Sequence, residues 1–164
     1  MKTLIVGVGS PILGDDGIGI AAARQCKNLY HRNKDVDVVE IGTGGLSLLD
    51  IVQGYDRLIL LDAIISGSPP GTVHILNETE LAGTVHLGAG HEADLTTTLA
   101  LGRKLAARPL PGDVHIVAVE VRDITTFSEN LSPEVKAAVP NVLAAVNKIL
   151  KAHGYESAEY QDLR

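Results

Sequence analysis

Short, almost unbroken apolar runs alternate along this chain with longer segments whose apolar residues recur every three or four positions. Residues 2–8, 36–41, 57–62, 72–76 and 113–121 are of the first kind, rich in Val, Ile and Leu as strands buried on both faces are. The second kind spans Asp15 to about His31, with a stripe at Ile18, Ala22, Cys26 and Leu29, then Leu95 to Ala107, then Ser132 to about His153. A shorter helix is expected over Leu46–Val52. Punctuation agrees with these boundaries. Ser10–Gly14, Gly42-Thr43-Gly44-Gly45 and Pro69-Pro70-Gly71 read as loops or turns. Ser132 is a natural N-cap with Pro133 at the first helical position, and Gly154 marks a stop.

Strands alternating with helices predict an α/β fold: a three-layer α/β/α sandwich around a mostly parallel, twisted five-stranded sheet. Little helix follows the fourth strand, which leaves room for an antiparallel edge there. With the second, first and third strands adjacent in that order, the first and third lie ~4.8 Å apart. Residues 1–154 are expected to form a single domain, with 155–164 a polar tail.

Composition narrows the function classes. The chain has 164 residues and a formal charge of −6, without a Lys/Arg block, which disfavours nucleic acid because phosphate neutralisation supplies most of that affinity. One Phe and no Trp leave no stacking platform for single strands. No stretch approaches the ~20 apolar residues of a membrane span, and the N-terminal apolar run is too short for a signal peptide. Cys26 has no partner for a disulfide, consistent with a reducing compartment. The expectation is a cytoplasmic monomer, with no membrane or nucleic-acid partner.

The candidate chemistry lies where apolar runs end. Asp62 closes Leu58-Ile59-Leu60-Leu61, and Asp16 follows the first strand and its glycine-rich loop. In a parallel sheet such strand ends share one rim, where ligands bind. A carboxylate ending an apolar strand needs an open crevice or a cation. Two carboxylates side by side raise each other's pKa unless a metal or a proton separates them. His91, after Gly88-Ala89-Gly90, opens a helical segment that reaches the same crevice, while His86 competes for that place. Two carboxylates and an imidazole suit zinc, nickel, iron or manganese. Glu120 and Asp123 are secondary acids, and Cys26 lies on the apolar stripe as packing.

Gly7-Val8-Gly9 between strand and helix also invites a dinucleotide reading, with Glu40 on the ribose. The third glycine of that fingerprint is Ile12, and Asp15 and Asp16 stand where a pyrophosphate would sit. Asp15 occupies an N-cap position, which leaves Asp16 free to point outward. Gly14, Gly17 and Gly19 strip side chains from around Asp16, so another backbone can approach closely.

The run from Gly7 to Gly19 resembles the opening motif of the [NiFe]-hydrogenase maturation endopeptidases. Arg57 to Ile64 is similar to their second motif, and His91 falls where their third metal-site residue is expected. Gly42–Gly45, Pro70–Val73 and Leu131–Val135 also match, so the resemblance spans residue 2 to about 150. It implies an endopeptidase that removes a C-terminal extension from the hydrogenase large-subunit precursor after nickel insertion, cutting after a basic residue. Asp16, Asp62 and His91 would contact the nickel, and zinc or cadmium would serve as surrogates. Position 10 is Ser where asparagine is usual, and position 16 is Asp where many members have Glu. The latter sets the carboxylate back by one methylene, roughly 1.5 Å, leaving room for a water-bridged contact. Three readings remain beside this one: a non-cleaving nickel-binding or assembly module, an acidic peptidase using paired aspartates without metal, and the nucleotide-binding α/β protein.

Overall fold

The computed structural model describes residues 1–42, 46–81 and 95–152. Its strands are β1 (Thr3–Val8), β2 (Val36–Ile41), β3 (Arg57–Ile64), β4 (Val73–Asn77) and β5 (Asp113–Glu120). Its helices are α1 (Ile18–Tyr30), α2 (Leu46–Val52), α3 (Glu78–Leu81), α4 (Leu95–Leu105) and α5 (Pro133–Lys151). The sheet order is β2-β1-β3-β5-β4. All pairings are parallel except β4 with β5, so the expected antiparallel edge is present. Every residue of β1 and β3 is buried, as central strands covered on both faces require.

Alternation along these strands builds two cores. Ile5, Ile59, Leu61 and Val117 pack against α1 and α5 through Ile18, Ala22, Cys26, Val142 and Val146. Leu4, Val6, Leu58, Leu60 and Ile116 pack on the other face with Leu48, Val52 and Leu99 of α2 and α4. Cys26 is fully buried, and burial pushes its thiol up to about 12 despite a backbone hydrogen bond. It is packing, as its place on the stripe suggests. Pro140 lies inside α5 but faces solvent, so the carbonyl that loses its helical partner can bond to water.

The expected first helix divides. Gly14–Gly17 forms a 3₁₀ turn and the α-helix starts only at Ile18. Asp15 is not the cap. Its carboxylate accepts hydrogen bonds from the backbone N–H of Ser132 at 2.6 Å and the Ser132 hydroxyl at 2.8 Å, tying the turn to the start of α5. The Ser132 hydroxyl donates to Asp15 and makes no cap bond to its own helix. The short α3 was not expected, although Asn77-Glu78-Thr79-Glu80 spells a capping box. Asn77 Oδ1 accepts from the Thr79 and Glu80 amides, and Glu80 accepts from the Asn77 amide. Gly154, the Thr43–Gly45 part of the second loop and the 155–164 tail lie outside the described residues. Among the described residues no helix is long and apolar enough to cross a membrane.

Glycines set how closely α1 meets the sheet. A Cβ on Gly19 would lie 2.3 Å from the carbonyl oxygens of both Val8 and Leu61, and one on Gly7 would lie 2.4 Å from the Gly19 carbonyl. Those are backbone atoms at the ends of β1 and within β3, and they cannot swing aside. Gly19→Ala is therefore expected to destabilise by about 3 kcal/mol or more, as severe overpacking does. Gly112→Ala, where the added carbon meets nothing within 4 Å, is expected to stay within about 0.5 kcal/mol of wild type. Urea denaturation of the two variants against wild type measures the difference.

Candidate active site

The turn Gly14–Gly17 and the end of β3 meet where α1 is pressed onto the sheet. Gly9, with φ of +133°, folds the chain back so tightly that a Cβ there would lie 1.9 Å from the Asp16 carbonyl oxygen. Only glycine accommodates both the conformation and the contact. Gly17 completes the fold, with the Ser10 carbonyl 3.2 Å from where its Cβ would be. The close backbone approach expected around Asp16 is thus made by Ser10, Val8 and Leu61.

This packing buries both aspartates. Asp16 is 1% exposed and Asp62 2%. Asp16 Oδ2 accepts a hydrogen bond from the Ser10 amide at 2.7 Å, while its Oδ1 is buried with no partner among the described residues. Asp62 Oδ1 accepts from the Ala63 amide at 2.8 Å. Burial drives the Asp62 carboxyl well above the ordinary carboxylate range; the Ala63 bond opposes this, and the neighbouring Asp16 charge adds to it. The two acids therefore share one electrostatic environment, as their places at adjacent strand ends predict. A buried carboxylate oxygen without a donor among the described residues, beside a second buried acid, carries an unfavourable desolvation cost.

His91 and its competitor His86 lie outside the described residues. Among the described residues no group of three or more His, Cys, Asp or Glu side chains gathers about one point. Asp16 and Asp62 are accordingly the part of the candidate set whose geometry is in view.

The secondary acids have other partners. Glu120 is buried at the end of β5 and accepts hydrogen bonds from the Ser66 amide, the Ser66 hydroxyl and the Gly67 amide at 2.6–2.9 Å. Burial raises its carboxyl, but these bonds and the nearby His74, 3.5 Å away, outweigh it and the group ends below its usual range. Glu120 thus anchors the loop that follows β3 beyond Asp62. Asp123 is held by Thr125 and Thr126, whose hydrogen bonds keep it far below the carboxylate range. Glu40, the residue a ribose would need, accepts from Arg24 Nε at 3.0 Å. Sequence reading missed the Asp15–Ser132 tie, and no local pattern announces a contact across 117 positions.

The raised Asp62 carboxyl has a signed consequence. The native state holds this proton more tightly than the unfolded chain, so its contribution to stability is intact below about pH 4, the unfolded value. It is lost as pH rises toward the native pKa. In chelator-treated protein, Asp62→Asn is expected to melt higher than wild type near neutrality, with the gap in Tm shrinking toward pH 4. Thermal melts across that range check the sign.

The fold recurs in known proteins. The family model for hydrogenase maturation proteases matches residues 20–150. The hydrogenase 2 maturation protease of Escherichia coli K12 is 28% identical, covering 96% of this chain and 95% of its own length. The hydrogenase expression/formation protein HupD of Bradyrhizobium diazoefficiens is 31% identical over 93% of this chain and 80% of its own. Among solved structures, the hydrogenase maturating endopeptidase HybD from E. coli superposes with a TM-score of 0.77 at 26% identity, covering 94% of both chains. The [NiFe] hydrogenase maturation protease HybD from Thermococcus kodakarensis gives 0.72 at 27% identity, covering 91% of this chain and 99% of its own. With the family model spanning most of its length and the fold shared throughout, this chain belongs to the hydrogenase maturation protease family.

Proposed function

We propose that this protease removes the C-terminal extension of a [NiFe]-hydrogenase large-subunit precursor and recognises the nickel already inserted there through Asp16, Asp62 and His91. The observation that carries this reading is the buried acid pair, with Asp16 Oδ1 unpartnered and the Asp62 carboxyl pushed up. Burial disfavours charge on the pair, and a cation held between the two carboxylates would offset that cost with both acids as ligands. Nickel enters as part of the substrate. Zinc or cadmium, similar in their demands, are the surrogates.

The chain's own residues then act in a definite order. The Ser10 amide holds Asp16 Oδ2, so the short aspartate is oriented by its own loop and its Oδ1 would be the oxygen offered to the ion. The Ala63 amide does the same for Asp62 Oδ1. Hydrolysis adds water across the scissile amide: oxygen bonds to the carbonyl carbon, a carboxylate oxygen accepts the water proton, and the leaving nitrogen receives it as the C–N bond breaks. An ion held by Asp16, Asp62 and His91 would supply Lewis acidity toward the carbonyl or the attacking water. Family membership supports the peptidase reading over a non-cleaving assembly module, and Arg24 engaging Glu40 leaves little for a dinucleotide.

Asp16→Asn and His91→Ala are each expected to slow processing of the nickel-loaded precursor by roughly hundredfold or more, a scale typical of losing a preorganised polar group. Thermal midpoints should stay close to wild type, and nickel-free precursor should remain uncut by the wild-type protein. Intact-mass measurement of the precursor over time reads the lost tail. Normal processing by both variants removes these residues from the site, and tight binding by wild type without mass loss makes the protein an assembly module.

A further inference from the structure

Asp15 and Asp16 are neighbours in the chain with different surroundings. Asp16 is buried, whereas Asp15 is half-buried, with both carboxylate oxygens bonded to Ser132 at the start of α5. The two acids share the 3₁₀ turn Gly14–Gly17, four residues long. A single turn of this kind holds its own place poorly, because its internal hydrogen bonds are badly aligned. Here they run from the Asp16 amide to the Leu13 carbonyl at 3.2 Å, and from the Ile18 amide to the Asp15 carbonyl. Contacts from outside therefore set how the turn sits. On one side the Ser10 amide holds Asp16 Oδ2. On the other, Ser132 holds Asp15, and the Gly14 amide donates to the Ser128 carbonyl at 2.7 Å. Successive side chains of a 3₁₀ turn lie about 120° apart, so fixing Asp15 toward α5 also fixes the direction of Asp16.

We propose that Asp15 is a positioning residue: clamped to the start of α5, it sets the rotation of the turn and so keeps the Asp16 carboxylate in register with Asp62. The inference rests on the preceding subsection for the role of Asp16, and on separate residues for the clamp. The helix is a firm reference, 19 residues long with Val135, Ala138, Val142 and Val146 buried in the core. A carboxylate suits that place, since a helix N-terminus favours negative charge and Ser132 offers two donors there. Aspartate at position 16 makes the clamp more consequential. It has one side-chain torsion fewer than glutamate with which to correct a misplaced backbone, so the placement of the turn decides where its carboxylate lies.

Calorimetric titration with cadmium ion alone, at a temperature where every variant is folded, reads that placement without turnover. Asp15→Ala is expected to bind cadmium roughly ten- to hundredfold more weakly than wild type, the range for losing a group that orients a metal ligand. Asp15→Asn loses the charge but can still accept from the Ser132 amide and donate to its hydroxyl, so it should stay close to wild type. Ser132→Ala keeps the charge and the amide bond, and should fall between wild type and Asp15→Ala. In steady-state processing of nickel-loaded precursor, Asp15→Ala should lower kcat by about a hundredfold, the effect of a small misplacement of a reacting group, with KM little changed. A purely structural contact would lower Tm and leave kcat alone well below the melt.

Wild-type cadmium affinity and kcat in Asp15→Ala overturn the proposal. So does a loss in Asp15→Asn as deep as in the alanine variant, which would make Asp15 a source of charge and not a clamp. If Asp15→Ala does not fold, Ser132→Ala decides alone, and wild-type behaviour in it overturns the clamp. Asp16→Asn separates the two readings. Cadmium binding that survives Asp16→Asn removes the acid-pair site and the clamp with it, whereas binding lost there but kept in Asp15→Ala removes the clamp alone.

Discussion

The site depends on one close contact: the backbone of Gly19 resting against the carbonyl oxygens of Val8 and Leu61. Because no side chain stands between them, the first turn of α1 is seated on the ends of two adjacent parallel strands at once. The residue three positions earlier, Asp16, and the residue just after Leu61, Asp62, are then carried into one buried space. Gly7 and Gly9 serve the same geometry from the strand side, one admitting the helix and the other admitting the returning loop. A glycine pattern that superficially suits a dinucleotide is here used to press a helix onto a sheet. The electrostatic consequence excludes the phosphate that such a loop usually holds.

That consequence is unfavourable by itself. Two carboxyl groups, both almost wholly removed from water, cannot both carry full charge without compensation. Among the described residues the protein supplies one amide to each, leaving Asp16 Oδ1 without a donor and the Asp62 carboxyl pushed up by burial. A structural acid pair would be expected to recruit further donors, as Glu120 does with Ser66 and Gly67. The contrast within one sheet distinguishes an acid that fastens a loop, Glu120, from a pair of buried acids with one donor each among the described residues.

Much of this was legible in the sequence, for physical reasons that can be named. The central strands read as apolar runs because burial on both faces leaves no polar positions. The neighbouring places of Asp16 and Asp62 followed from the strand order of a parallel sheet. Other features were hidden. The 3₁₀ turn at Gly14–Gly17 and the tie from Asp15 to Ser132 are set by a contact between loops far apart in sequence, so Asp15 passed for a local cap. Asn77 to Glu80 is different: its capping box was present in the sequence and went unread.

The central claim is that Asp16 and Asp62 face a common point and hold a single cation there. The most direct measurement is anomalous diffraction from crystals soaked in cadmium, at a wavelength where the ion is identified by its scattering. The account predicts one strong peak within coordination distance of Asp16 Oδ1 and an oxygen of Asp62. A peak bound elsewhere, with the two carboxylates left without an ion between them, would contradict it.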